Sequence, residues 1–225
     1  MPNRLPRVVT REQAAAMLAI PSIKSPTGLR QRVVLEVLYR AGLRAAEVTG
    51  LKAEDVHIKE LRLDIRGSKR AQSRAVPIGA ELAGWLQSWA LMRPQKSEWF
   101  FSAFRSKGGG GPGNRLQESW LRRMVGGIAQ QAGIDPLLVS PHVFRHTYAT
   151  ELLEDGFTIS EIQLLLGHSS IRTTAIYLHV KLSELAEKVA ARDAERDVLA
   201  EDVAATLKGL DRDQLQGLKE VLGTI

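Results

Sequence analysis

The chain has 225 residues, 44% of them hydrophobic, with a formal net charge of +6 and an isoelectric point near 9.8. This length suits one sizeable domain or two small ones, and the lack of cysteine excludes disulfides and thiolate metal sites. No uninterrupted apolar stretch has membrane-spanning length and no apolar run with a cleavage site follows Met1, so a cytoplasmic protein with a polyanionic partner is expected.

Residues 1–9 read as a linker-like N-terminal segment, with two prolines, two arginines and no periodicity. Thr10 followed by Gln13 is a capping-box pattern and predicts a helix through about Ile20. Pro21 to Gly28 reads as a loop. Val33, Val34, Val37, Leu38 and Ala41 form a helical stripe over 29–41, which Gly42 ends, and a short helix is expected from Arg44 to Leu51. The period then changes. Leu61, Leu63 and Ile65 alternate with Arg62, Asp64 and Arg66, predicting a half-exposed strand with a basic face. Gly67-Ser68 turns the chain, and Arg74 to Ile78 is the returning strand.

A helix is predicted from Ala80 to about Met92, and Trp99-Phe100-Phe101 reads as a short strand. Gly108 to Gly113 cannot hold regular structure without a large loss of backbone entropy, and is expected to be a mobile surface loop. Helices resume at about 115–132, 141–155, 159–167 and 172–179. Three apolar stripes follow: Leu182, Leu185, Ala186 and Val189; Leu199, Val203, Leu207 and Leu210; and Leu215, Leu218 and Leu222. The fold class expected is mainly α with a small antiparallel β-sheet around 56–78.

Charge divides unevenly. Residues 181–225 hold seven Lys/Arg against ten Asp/Glu, which leaves 24 Lys/Arg against 15 Asp/Glu in residues 1–180. The basic part also carries the residues suited to chemistry. Ser140 is a helix cap with Pro141 at the first helical position, so His142 and Arg145 share a face of the first turn. A helix start and an arginine fork both favour a bound phosphate. Gly167 looks like a left-handed helix terminator that places His168 at a turn, and Tyr177 follows nine residues later. His57, His146 and His179 read as structural, because nothing in the sequence pairs them with another reactive group. No histidine spacing resembles a metal site, and no cofactor is expected.

Taken in order, AGLRAAEV, GSKRAQSRAVP, PHVFRHTYATELLEDG and LLGHSSIRTTAIYLHV resemble the signature segments of tyrosine recombinases of the phage-integrase and Xer type. The resemblance covers about residues 5–180 and implies a tyrosine recombinase catalytic domain over 10–180, with 181–225 a helical C-terminal tail expected to dock either on a neighbouring subunit in trans or on its own domain in cis. It implies DNA cleavage and rejoining through a 3′-phosphotyrosine. Arg44 and Arg145 would clamp the scissile phosphate, and Lys69 would protonate the departing 5′ oxygen, with Arg70 the adjacent alternative. His142 would be the acid/base, His168 a further donor to the phosphate and Tyr177 the nucleophile. Glu47 would stand behind the first arginine. Phe144 replaces a more usual leucine.

The physics suits those roles: fixed cations stabilise the charge that attack adds to the phosphate, and a phosphotyrosine stores the bond so that rejoining needs no ATP. Further phosphate contacts are expected from Arg66, Arg70 and Arg74 on the hairpin, and from Arg115, Arg122 and Arg123 on the next helix. The implied partner is double-stranded DNA at the nucleoid, with a monomer in solution and a cyclic tetramer on synapsed DNA. The family's usual N-terminal clamp domain is not in the sequence, which suits either a shortened chain or a minimal recombinase of the fimbrial-invertase kind. A type IB topoisomerase or telomere resolvase would share the chemistry, and a catalytically silent DNA-binding module is the reading of another class.

Overall fold

The computed structural model describes residues 7–67, 73–104, 113–167 and 187–194. Lys69, Arg70, His168, Tyr177, the expected helix at 172–179 and most of the tail lie outside them, as do residues 105–112 of the glycine-rich segment. Among the described residues no helix is long and apolar enough to cross a membrane.

The chain opens with α1 (Arg11–Ala19), closed at its start by the Thr10–Gln13 capping box. The long central helix α2 (Pro26–Ala41) begins earlier than the sequence reading placed it. Ser25 Oγ accepts the Gly28 N–H at 3.1 Å and Pro26 occupies the first turn, the same Ser-Pro start seen later at Ser140. Helix α2 packs against α4 (Ala80–Met92) and α6 (Pro141–Glu154), so Val33, Val34, Leu35, Val37 and Leu38 are fully buried. Gly42 ends α2 at φ +60°, where an added Cβ would lie 2.3 Å from the Tyr148 ring. That sharp stop releases the chain into α3 (Ala45–Thr49), with Arg44 as its N-cap residue.

The sheet is antiparallel, in the order β1 (Val56–His57), β2 (Arg62–Ile65), β3 (Arg74–Pro77). Leu63 faces Val76 and Ile65 faces Arg74. Leu63, Ile65 and Val76 point to the core, and the register takes Arg74 inward with them. The expected strand at 99–101 does not form. Lys52 bridges Trp99 and Ser102 bridges Arg115 as isolated pairs, while Phe100 and Phe101 enter the core under Trp89, whose Nε1–H donates to the Phe100 carbonyl at 2.8 Å. The bridge at Arg115 also delays α5 (Glu118–Gln131) by three residues relative to the expected start.

Helix α6 is capped as the sequence implies, Ser140 Oγ accepting the Val143 N–H at 3.3 Å. Helix α7 (Ile159–Leu166) starts at a Thr158–Glu161 capping box and ends at Gly167 with φ +65°. A second small core holds Tyr148, Leu152, Phe157, Ile162, Leu165, Leu166 and Val189. The helical residues 187–194 therefore fold back onto their own domain, with Val189, Arg192 and Asp193 all buried. Val189 packs into the apolar core that α6 and α7 form. How the rest of the tail docks lies outside the described residues.

Candidate active site

Three arginines from three distant elements meet at one carboxylate. Arg44 caps α3, and its backbone N–H and guanidinium each donate to Glu47 at 2.8 Å. Arg74 from β3 makes a two-pronged pair with the same carboxylate, both contacts 2.9 Å. Arg145, in the first turn of α6, lies 3.9 Å from Glu47 and donates to the Gly42 carbonyl at 2.9 Å. Burial alone would push the Glu47 carboxyl up. The Arg74 hydrogen bonds and charge, with the Arg44 N–H, overcome that and hold it at about 2. Burial first, and then the Arg44 charge, bring Arg145 down to about 10, so it stays a cation at neutral pH.

The same arginines hold the C-terminus of α7. Arg74 Nε–H donates to the Leu165 carbonyl at 2.8 Å, Arg145 to Leu166 at 2.6 Å and Arg44 to Gly167 at 3.3 Å. Three successive carbonyls at a helix end, where the dipole is negative, thus take one cation each. Gly167 is required here twice over. Its φ is +65°, and a Cβ would come within 2.8 Å of the Arg74 side chain. The arrangement fixes the backbone that leads directly into His168.

Of the three, Arg44 is the one open to solvent, its side chain 37% exposed against 6% for Arg74 and for Arg145. A cleft of about 530 Å³ opens beside it, lined by Arg44, Glu47, Lys52, Arg74, Trp99 and Arg115 among others. With one carboxylate against three guanidinium groups, the site keeps an excess of positive charge, which suits a phosphodiester.

His142 is exposed on the first turn of α6, one residue past Pro141. Its Nε2 lies 2.9 Å from Nε2 of His146. The reading of His146 as a histidine without a reactive partner is therefore corrected. The signal was present, because residues four apart on a helix face each other. His57 instead pairs with Asp64 on the hairpin at 2.9 Å.

The expected phosphate contacts divide. Arg74 is not at the surface: its strand register turns it inward and Glu47 and Leu165 take its donors. Alternation from the buried Val76 would have predicted that. Arg66 is partly exposed but is held by Asp55 and Glu54. Arg115 donates to the Ala46 and Thr49 carbonyls at 3.1 Å each, capping the C-terminus of α3, and lies 5.3 Å from the Trp99 ring centre. It therefore braces the helix that presents Arg44. Arg122 is exposed and paired with Glu118, and Arg123 lines a separate groove against the α1–α2 connection. Lys52, which the sequence reading passed over, reaches the cleft over Trp99.

The model of the phage integrase family matches residues 7–184. The chain belongs to that family. Tyrosine recombinase XerD of Ralstonia nicotianae is 36% identical over 190 residues, which cover 82% of this chain and 59% of that relative. The crystal structure of the XerA recombinase superposes with a TM-score of 0.64 at 30% identity, covering 83% of this chain and 65% of that one. The site-specific recombinase XerH, in a post-cleavage complex with its palindromic difH substrate, gives a TM-score of 0.62 at 25% identity, covering 82% and 53%. The chain spans about three fifths of the length of the curated relatives it matches.

Proposed function

We propose that the chain is the catalytic part of a site-specific DNA recombinase, cleaving and rejoining DNA through a 3′-phosphotyrosine. The observation that carries the reading is the convergence of Arg44 and Arg145, distant in sequence, on one carboxylate and on the Gly167 and Leu166 carbonyls that lead into His168. The Xer relatives favour recombination over the topoisomerase reading. In the proposed reaction the solvent-open Arg44 and the buried Arg145 hold two non-bridging oxygens of the scissile phosphate. Their charge is in place before attack, so it stabilises the transition state without reorganisation. Glu47 fixes the fork of Arg44 rather than taking a proton, since its carboxyl titrates at about 2.

Tyr177 attacks phosphorus, His142 takes the phenol proton, and Lys69 supplies a proton to the departing 5′ oxygen. These roles follow from the family resemblance and the positions of Arg44, Glu47, His142 and Arg145 support them. The proposed partner is double-stranded DNA in the cytoplasm, bound by a monomer that assembles into a cyclic tetramer on synapsed sites. Lys52 beside Trp99 joins the proposed phosphate contacts, in place of Arg74.

The test begins with genomic fragments trapped covalently by the protein, rebuilt as a nicked suicide duplex. Tyr177→Phe removes one hydroxyl and no charge. It is expected to abolish the covalent adduct while leaving DNA affinity within about twofold, because binding rests on phosphate contacts by Lys and Arg. An adduct formed by Tyr177→Phe would remove that tyrosine from its role.

A further inference from the structure

Helix α6 carries two imidazoles in direct contact, His142 and His146, with their ring centres 4.2 Å apart. A ring-nitrogen separation of 2.9 Å needs a proton between the two atoms, so one ring donates and the other accepts. Two imidazolium ions cannot do this. His146 is the deeper of the two, and burial, then the charge of His142, then that of Arg145 all lower its pKa. It is therefore held neutral and suited to accept, with His142 the donor. On the elements packed against α6, Arg40 of α2 pairs with Glu36, Arg122 of α5 with Glu118 and Glu161 of α7 with Lys188, while Arg11 reaches Glu151 and Asp155 at the far end of α6.

His142 has a reason to need such a partner. It sits in the first turn of α6, at the positive end of the helix dipole and three residues from Arg145. A neutral acceptor on the far nitrogen of His142 would hold the ring in one orientation and one tautomer, as the buried carboxylate does for the histidine of a catalytic triad.

We propose that His146 is a positioning residue for His142: it accepts the His142 Nε2–H, fixes that tautomer and leaves Nδ1 as the nitrogen that takes and returns the proton of the attacking phenol. This deepens the recombinase reading and rests on it. The proton count closes. As the tyrosine oxygen–phosphorus bond forms, the phenol proton moves to His142 Nδ1; as the phosphorus–O5′ bond breaks, O5′ takes its proton from Lys69. The imidazolium keeps its Nε2–H on His146. Rejoining runs the same steps backward.

The experiment uses the full chain and the nicked suicide duplex at saturating protein. His146→Phe is expected to lower single-turnover cleavage about tenfold or more and to move the acid limb of the pH–rate profile to lower pH. DNA affinity stays within about twofold, since no phosphate contact is removed. His146→Gln, whose amide oxygen can accept the same hydrogen bond, is expected to restore most of the rate. A folded His146→Phe that cleaves at the unaltered rate with an unchanged profile overturns the proposal, and so does a folded His146→Gln no better than Phe. Imidazole ¹⁵N NMR of the unaltered chain is the arm that needs no variant. Coupled titration of the two rings, with His142 protonated at Nε2, supports the proposal, and two independent titrations overturn it. If the unaltered chain forms no adduct on any fragment, the recombinase reading falls, while the NMR arm still decides whether the pair exists.

Discussion

Glu47 and Glu151 are both largely shielded from solvent, and they differ sharply. Glu47 lies among the site arginines with its side chain 11% exposed, and Glu151 lies under the tail segment at 6%. Burial penalises both charges. Glu47 nevertheless titrates at about 2, whereas Glu151 is pushed up to about 7. The difference lies in how each is partnered. Glu47 takes both prongs of Arg74, the Arg44 guanidinium and a backbone N–H. Glu151 accepts from Arg192 at 2.7 Å and from the Tyr39 hydroxyl at 3.0 Å, but Arg192 and Arg11 also serve Asp155. The charges of Asp155 and Glu154 add to the burial penalty. Depth alone does not decide a buried carboxylate's state; unshared donors do.

The largest expected effect comes from Glu47→Gln. Removing one partner of a buried ion pair leaves Arg74 and Arg145 as neighbouring uncompensated cations, a loss of about 3–5 kcal/mol. Arg44 also loses its fixed orientation, so cleavage should fall on the order of 100-fold. The pH dependence adds a signature. The folded-state pKa lies below the ordinary 4.5, so the stability from ionised Glu47 is present above about 4.5 and lost as pH falls toward about 2. Urea midpoints for the unaltered chain should drop through that window by on the order of 3 kcal/mol from this residue, and the variant should lack the drop. Equal midpoints at pH 7 would show that Glu47 is not what holds the arginines together.

Glu151→Gln should act in the opposite sense. Here the folded-state pKa is above the ordinary 4.5, so its contribution is full below about 4.5 and lost as pH rises through about 7. The unaltered chain should lose on the order of 2–3 kcal/mol over that window from this residue, and the variant should lose none of it. Urea midpoints across pH 4 to 8.5 measure this directly. If the variant's slope matched the unaltered one, the contrast between the two glutamates would collapse.

The local parts of this architecture were legible in the sequence. Thr10, Ser140, Gly42 and Gly167 mark helix ends by their own chemistry, and each does so in the structure. The start of α2 at Ser25-Pro26 carried the same mark and was passed over. The family motifs put Arg44, Glu47, His142 and Arg145 in one site. They did not supply Arg74, whose role depends on strand register, nor the seating of three guanidinium groups on the carbonyls of 165–167. Those contacts join residues 21 to 123 positions apart, and no local period encodes them. The apolar stripe through Val189 was legible as a stripe. What covers it was not, because amphipathicity states that a face needs burial and not where.

The smallest expected effect separates the two anchors of the tail segment. Lys188 pairs with Glu161 at 3.1 Å and lies 5.2 Å from the Phe157 ring centre, but it is 49% exposed. Arg192, four residues on, is 5% exposed and grips Glu151 and Asp155 at 2.7 and 2.6 Å. Water screens the first pair and is excluded from the second. Lys188→Ala should therefore cost at most about 0.5 kcal/mol, and that small cost should shrink further in 1 M salt. Arg192→Ala leaves the buried Glu151 beside Asp155 with only the more distant Arg11 as cation, so it should cost several times more and should speed hydrogen exchange across 187–194. Urea midpoints for the two single variants and the double decide the matter. Because the residues touch different carboxylates, their costs should add within about 0.5 kcal/mol. If Lys188→Ala proved the more damaging, the segment would be held at the surface by Glu161 on α7, and the buried Glu151 cluster would be a consequence of its docking rather than the cause.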